Sequence, residues 1–164
     1  GFEFLNVEDN EHVYTIRFNR PEKLNAINSK MSLEIHNALD IVSNSKNCRA
    51  LIITGEGRGF CSGADVGESL NIDEQIPDSD VQFKDHITSL GAHIRKMNQP
   101  VITAINGIAA GIGLTIALSS DIRVASKESS FSCIFIKRSL VPDGGSSSIQ
   151  NLVMVSFTVH VLMG

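Results

Sequence analysis

Twice in this chain an apolar, β-branched run empties into a loop dense in small residues, and the second such loop opens a helix. Arg49-Ala-Leu-Ile-Ile-Thr54 reads as a buried strand. Gly55-Glu-Gly-Arg-Gly-Phe-Cys-Ser-Gly-Ala-Asp65 follows it. That is too much glycine for a helix or strand interior, so a shaped loop is expected there. Val101-Ile-Thr-Ala-Ile105 reads as a second buried strand. It leads into the turn-forming pair Asn106-Gly107, then small residues, then an apolar helical segment from about Ile112 to Ser119. N–H groups at a helix start lack intrahelical partners and point at whatever sits there. Small residues let a ligand approach the backbone closely. Two loops of this kind place one N–H apiece on a single oxygen. That is an oxyanion hole, and it needs no particular side chains.

The rest of the chain fits around these junctions. Phe2 to Val7 and Val13 to Phe18 read as strands of a hairpin, with turn residues at Asp9-Asn-Glu11. Residues 19–27 are irregular, because Pro21 blocks a ladder bond. Asn28 or Ser29 caps a helix through about Ser43, with Met31, Ile35, Leu39 and Val42 on one face. Residues 66–80 are polar and acidic and predict a solvated loop. Phe83, Ile87, Leu90 and Ile94 place a helix over about Val81 to Met97, and Pro100 ends that unit. A strand is expected at Ile122 to Ala125. Strands alternating with helices argue for α/β architecture with parallel pairing, in one domain over residues 1–164.

Charge and cysteine usage exclude several classes. The net charge is −4 with both signs interspersed, so no basic surface suits nucleic acid. Cys48, Cys61 and Cys133 are far apart and odd in number, which indicates neither a zinc site nor a disulfide framework and favours a reducing, intracellular setting. His12, His36, His86, His93 and His160 have no metal-ligand spacing and read as solvated or packed. The opening Gly1-Phe-Glu-Phe-Leu-Asn lacks the basic and apolar regions of a signal peptide. No apolar run reaches membrane-spanning length. A cytoplasmic protein is expected, or a mitochondrial or peroxisomal one in a eukaryote.

Four blocks in order make a more specific pattern. Asn19-Arg-Pro-Glu-Lys-Leu-Asn-Ala-Ile27, Gly59-Phe-Cys-Ser-Gly-Ala-Asp65, Pro100-Val-Ile-Thr-Ala-Ile-Asn-Gly-Ile-Ala-Ala-Gly-Ile-Gly113 with Ser120-Asp-Ile-Arg-Val-Ala125, and Val141-Pro-Asp-Gly-Gly-Ser146 resemble the enoyl-CoA hydratase/isomerase (crotonase) superfamily. The resemblance implies an α/β fold, a spiral of repeated ββα units, that binds acyl-CoA thioesters. By position it implies that the backbone N–H groups of Ala64 and Ile112 are the oxyanion donors. Lys23, Leu24, Ala26, Ser62, Gly63, Asp65, Val66 and Gly111 would then line the acyl-CoA site. It calls for no separate cofactor and no metal, since coenzyme A is part of the substrate. It also implies a homotrimer or a dimer of trimers.

The side chains then narrow the reaction. The two glutamates of the family's hydratases correspond to Thr115 and Phe135 here, and neither moves a proton. Asp143, in the Pro-Asp-Gly-Gly turn, matches the place where some isomerases of the superfamily keep a single proton-shuttling carboxylate. Such a shuttle serves first as base and then as acid, and burial beside an acyl chain would raise its pKa. The same residue is also what a Pro-Asp-Gly turn calls for by itself. Asp65 reads as a loop brace, Asp121 as a cap or brace before its strand, and Cys61 as small-residue packing.

Family members are usually longer, and the part expected to be lacking here is C-terminal and helical. Residues 147–164 carry no formal charge with His160 neutral. Val153, Val155, Phe157, Val159 and Val161 alternate like a strand, while the resemblance implies a helix, which is the expectation adopted because context overrides weak propensity. Two functions remain: an enoyl-CoA isomerase, and a non-catalytic acyl-CoA-binding or assembly protein.

Overall fold

After an N-terminal hairpin, the chain builds two sheets by visiting each in turn. The computed structural model describes residues 1–65, 67 and 78–132, with side chains at all of these except 78–86. Strands β1 (Leu5–Asn10) and β2 (Val13–Phe18) form an antiparallel hairpin. Helix α1 (Ser29–Asn44) follows, then β3 (Ala50–Gly55) and β4 (Gly59–Cys61). Helix α2 (Asp78–Arg95) leads to β5 (Val101–Ile105) and β6 (Ile108–Ala110). Helix α3 (Ile112–Ser119) leads to β7 (Ile122–Ala125) and β8 (Ser130–Ser132). One sheet has the order β1-β2-β3-β5-β7 and the other β4-β6-β8. After the hairpin, whose two strands both join the larger sheet, each ββ unit gives one strand to each sheet, and all pairs except the hairpin are parallel.

Local chemistry explains most of these elements. Asn28 caps α1 by accepting the Met31 N–H on its Oδ1 at 2.8 Å, satisfying one orphan donor of the first turn. Met31, Ile35, Ala38, Leu39 and Val42 form the buried face of α1. They join Ile16, Phe18, Leu51, Ile53, Phe60, Leu90 and Ile116 in one core. α1 packs on α2, and α2 on α3. Ile122 to Ala125 and Ile112 to Ser119 have the expected bounds.

Four expectations change. The glycine-rich stretches are not only loops: Gly59–Cys61 and Ile108–Ala110 are strands, joined to each other and to β8. Glycine serves here for close backbone approach. A Cβ on Gly107 would lie 2.0 Å from the Arg58 carbonyl oxygen, and one on Gly113 would lie 2.4 Å from that of Cys61. The hairpin starts at Leu5, not Phe2, and turns at Glu11 and His12. Asp9 and Asn10 are spent pairing with Tyr14 and Val13, so the two residues beyond them take positive φ of 50° and 75°. Such a two-residue turn matches the strand twist. The strand expected from Arg49 runs from Ala50 to Gly55. The helix expected from Val81 to Met97 runs from Asp78 to Arg95, so residues 78–80 are helical, not loop. Asp143, Phe135, Val66, Cys133, His160 and the segment 147–164 lie outside the described residues, as does the rest of the expected 66–80 loop apart from Gly67.

Candidate active site

The segment between the hairpin and α1 forms the floor of the first junction. Pro21–Lys23 makes one 3-10 turn, and Leu24 and Asn25 follow with positive φ of 50° and 56°. Asparagine tolerates that conformation better than most residues. The Asn25 side chain is fully buried and makes three hydrogen bonds. Its Oδ1 accepts the Arg20 N–H at 2.8 Å, and its Nδ2 donates to the carbonyls of Glu56 at 3.0 Å and Gly59 at 2.8 Å. Asn106 does the matching work from the second junction, donating to the Gly57 carbonyl at 2.8 Å and accepting the Gly55 N–H at 3.2 Å. Two asparagines thereby lock three chain segments together.

The first junction is held by an isolated parallel bridge between Ile27 and Ala64. Ile27 N–H donates to the Gly63 carbonyl at 2.8 Å, and Asp65 N–H donates to the Ile27 carbonyl at 2.9 Å. Both bonds use the neighbours of Ala64, so the N–H of Ala64 itself faces away from Ile27. Ala64 is exposed. At the second junction Gly111, with φ 53°, ends β6 and caps α3, and its N–H is spent on the Ser132 carbonyl at 3.2 Å. Ile112 is the first helical residue, so its N–H has no intrahelical partner. The junctions touch: a Cβ on Gly111 would sit 3.7 Å from Gly63 Cα, and one on Gly63 would sit 3.3 Å from the Ala110 carbonyl oxygen. Ser62 bonds back to the first segment, its N–H to Leu24 O at 3.0 Å and its Oγ to Lys23 O at 3.2 Å. The structure therefore brings together Lys23, Leu24, Ala26, Ser62, Gly63, Ala64, Asp65, Gly111 and Ile112. Lys23 is exposed, Leu24 half-buried and Ala26 buried.

Ionisable and polar side chains at the junction are already committed. Asp65 Oδ2 accepts from Arg20 Nη1 at 2.7 Å and its Oδ1 from the Gly67 N–H at 3.1 Å. Burial pushes the Asp65 carboxyl up, but the Arg20 and Gly67 hydrogen bonds and the charges of Arg20 and Lys23 outweigh it, so it titrates below the usual range. A carboxylate held ionised in this way is a brace and a poor proton carrier. Thr115 is fully buried, and its hydroxyl turns back to the Gly111 carbonyl at 3.4 Å. Cys61 is buried, and burial pushes its thiol up to about 12, which leaves it protonated and inert. Asp121 braces two strands by accepting the Val101 N–H at 2.8 Å. Among the described residues no group of three or more His, Cys, Asp or Glu side chains is arranged to hold a metal ion, and no helix is long and apolar enough to cross a membrane. A groove of about 270 Å³ lies at the carboxyl ends of β3, β5 and β7, beside Thr54, Asn106 and Ser126. Thr54 and Asn106 spend their side chains on the Ala104, Gly57 and Gly59 carbonyls and the Gly55 N–H, and offer little to a ligand there.

Two arrangements were not legible beforehand. The Arg20–Asp65 pair joins residues from separate motifs. The His36 and His93 rings meet across α1 and α2 with Nδ1 atoms 2.7 Å apart. For Arg20 the available signal was its place beside Pro21 in the first motif. For the histidines there was none, because the contact depends on how two helices pack.

Comparison with known proteins agrees with this architecture. A family model described as enoyl-CoA hydratase/isomerase matches residues 8–158. Over 147 residues the chain is 37% identical to the 1,2-epoxyphenylacetyl-CoA isomerase of Escherichia coli (strain K12), covering 88% of this chain and 56% of that protein. The crystal structure of an enoyl-CoA hydratase from Bacillus anthracis superposes with TM-score 0.86 at 27% identity, covering 94% of this chain and 60% of that one. An enoyl-CoA hydratase from Mycobacterium avium subsp. paratuberculosis K-10 does so with TM-score 0.79 at 30% identity, covering 92% and 55%. The chain spans a little over half the length of these relatives.

Proposed function

The chain belongs to the enoyl-CoA hydratase/isomerase family, and on that premise we propose that it binds acyl-CoA thioesters and shifts a double bond along the acyl chain. The observation that carries the proposal is the contact between the two junctions, Gly111 against Gly63; in this reading the neighbouring N–H groups of Ala64 and Ile112 serve one oxygen. A thioester oxygen between them would accept both bonds, and both would strengthen as that oxygen gains charge. Losing one such donor costs about 100- to 1,000-fold in rate, roughly 3–4 kcal/mol. Ile112 supplies its donor from the main chain, so its bulky side chain does not remove it. In this reading the Asp143 carboxylate takes the α-proton of a 3-enoyl-CoA and leaves a dienolate on the two N–H groups. It then returns the proton to the γ-carbon, giving the 2-enoyl-CoA. No separate cofactor enters the scheme.

Isomerisation is preferred to hydration because Thr115 is a buried hydroxyl bonded to its own helix, where a hydratase of this family would keep a carboxylate. The Escherichia coli relative is named an isomerase of an epoxide and the two structural relatives are named hydratases, so the preference rests on Thr115 and not on their names. A second reading, a non-catalytic acyl-CoA-binding homologue, draws on the same absence of a carboxylate at Thr115. Thioester absorbance separates them. Conversion of a 3-enoyl-CoA that disappears in Asp143→Asn, with retained CoA-ester binding, is the expected result. Undiminished turnover in that variant removes Asp143 from the mechanism, and binding without any turnover in the wild type favours the second reading. Assembly as a homotrimer is part of the same proposal and is read from the mass in solution.

A further inference from the structure

We infer that Arg20 is a positioning residue that aims the Ala64 N–H at the thioester oxygen; the inference rests on the oxyanion-hole reading above. Among the described residues Ala64 is paired through an isolated bridge to Ile27 and not through a strand ladder. Two backbone hydrogen bonds alone leave such a bridge free to twist. Arg20 Nη1 closes it from the side. It donates to the Ala26 carbonyl at 3.0 Å and to Asp65 Oδ2 at 2.7 Å. Ala26 precedes one bridge partner and Asp65 follows the other, so one nitrogen ties both chains of the bridge at neighbouring positions.

The guanidinium is itself well anchored. Its side chain is 10% exposed and that of Asp65 13%. It lies over the Phe4 ring, 5.6 Å from the centroid. The Arg20 backbone N–H is fixed by Asn25. An exposed ion pair would fix little, but charge-assisted bonds between two nearly buried groups hold a geometry. A misplacement near 1 Å in a catalytic group can cost about 100-fold in rate, and rigid support of this kind is what prevents it.

The test reads the donor's direction and not only the fold. An acyl-CoA carrying ¹³C at the thioester carbonyl is bound to the wild-type chain and to Arg20→Met, Arg20→Lys and Asp65→Asn. The carbonyl stretch is then followed by difference infrared spectroscopy. In the wild type the stretch moves to lower frequency on binding. With the acyl-CoA held at saturating concentration for each protein, Arg20→Met and Asp65→Asn lose a large part of that displacement, because the donor turns away while the ligand stays bound. Arg20→Lys, which keeps the charge, recovers part of it. If Arg20→Met does not fold, Asp65→Asn alone decides, since it is nearly isosteric and leaves the Arg20–Ala26 bond in place. A full displacement in a folded Arg20→Met or Asp65→Asn overturns the positioning role and leaves the oxyanion hole standing. No displacement in the wild type overturns both.

Discussion

Replacing Asn25 by alanine tests the brace beneath the first junction. Alanine removes three hydrogen bonds, those to the Arg20 N–H and to the Glu56 and Gly59 carbonyls. A buried bond of this kind is worth about 1 kcal/mol net, and an orphaned buried donor costs about 1–3 kcal/mol. Arg20 is only 8% exposed, so its N–H is left without water. The Gly59 carbonyl suffers less, because Asn106 Nδ2 also reaches it at 3.4 Å. The φ of 56° adds to the loss, since alanine in the left-handed region costs roughly 1 kcal/mol more than asparagine. The total comes to about 4 kcal/mol, a large part of the ~5–15 kcal/mol of a typical domain. Urea unfolding followed by circular dichroism measures it as a lower midpoint at unchanged slope. Asn25→Gly separates the two causes: it loses the same bonds but accepts the positive φ, so it falls short of the alanine loss by about 1 kcal/mol. An alanine variant within about 1 kcal/mol of the wild type refutes the hydrogen-bond argument, and equal losses in the two variants refute the backbone argument.

Two further outcomes follow from titratable groups that packing perturbs. Burial and then the charge of His36 push the His93 imidazole below its ordinary pKa of 6.5, and Lys96 adds to this, while Asp40, 3.2 Å from Nε2, opposes it. A lowered base binds fewer protons folded than unfolded, so stability is complete above about pH 6.5 and declines as the pH falls through the folded pKa. The His36–His93 bond also needs one shared proton, and a second one breaks it. The urea midpoint should therefore fall between pH 7 and pH 5, and His93→Gln should flatten that fall; the same slope in both proteins would contradict the assignment. For Cys61, with its thiol pushed up to about 12, alkylation at pH 8 should leave the peptide containing it unmodified in the native protein and modify it in urea; rapid native labelling of Cys61 would show that it is neither buried nor protonated.

The parts of the fold that a single segment determines were legible in advance. Asn28 and the Met31–Val42 face specify α1 without help from the rest of the chain, and Val101–Ile105 reads as a buried strand on its own. The small sheet was not, because Gly59–Cys61 and Ile108–Ala110 have no strand pattern. They are extended because each finds the other, and glycines permit the approach. The hairpin turn was displaced for a related reason: Asp9 and Asn10 are good turn residues, but pairing with Val13 and Tyr14 claims them first. At the site, the two glycine-rich junctions were legible, since glycine spacing marks where main chain is presented, and the structure brings them into contact. The Arg20–Asp65 tie was not legible, because 45 residues separate its members: Asp65 alone reads as a brace of its own loop, and nothing local names Arg20 as its partner.

That division between backbone and side chain has a consequence for how such a site changes. An oxyanion donor on the main chain depends on the path of the chain, and the path here is set by Asn25, Asn106, Arg20 and the glycines between touching strands. On the proposed reading, a bulky side chain at Ile112 leaves its main-chain donor in place, whereas a change at Asn25 would shift the path that leads to Ala64. The proton carrier has the opposite dependence. A carboxylate works only as that side chain in that place, so on the proposed reading Thr115 closes one route while the fold stays intact. If the proposed function holds, stabilisation of thioester charge is the robust part of the design, and the position of one acid selects which reaction uses it.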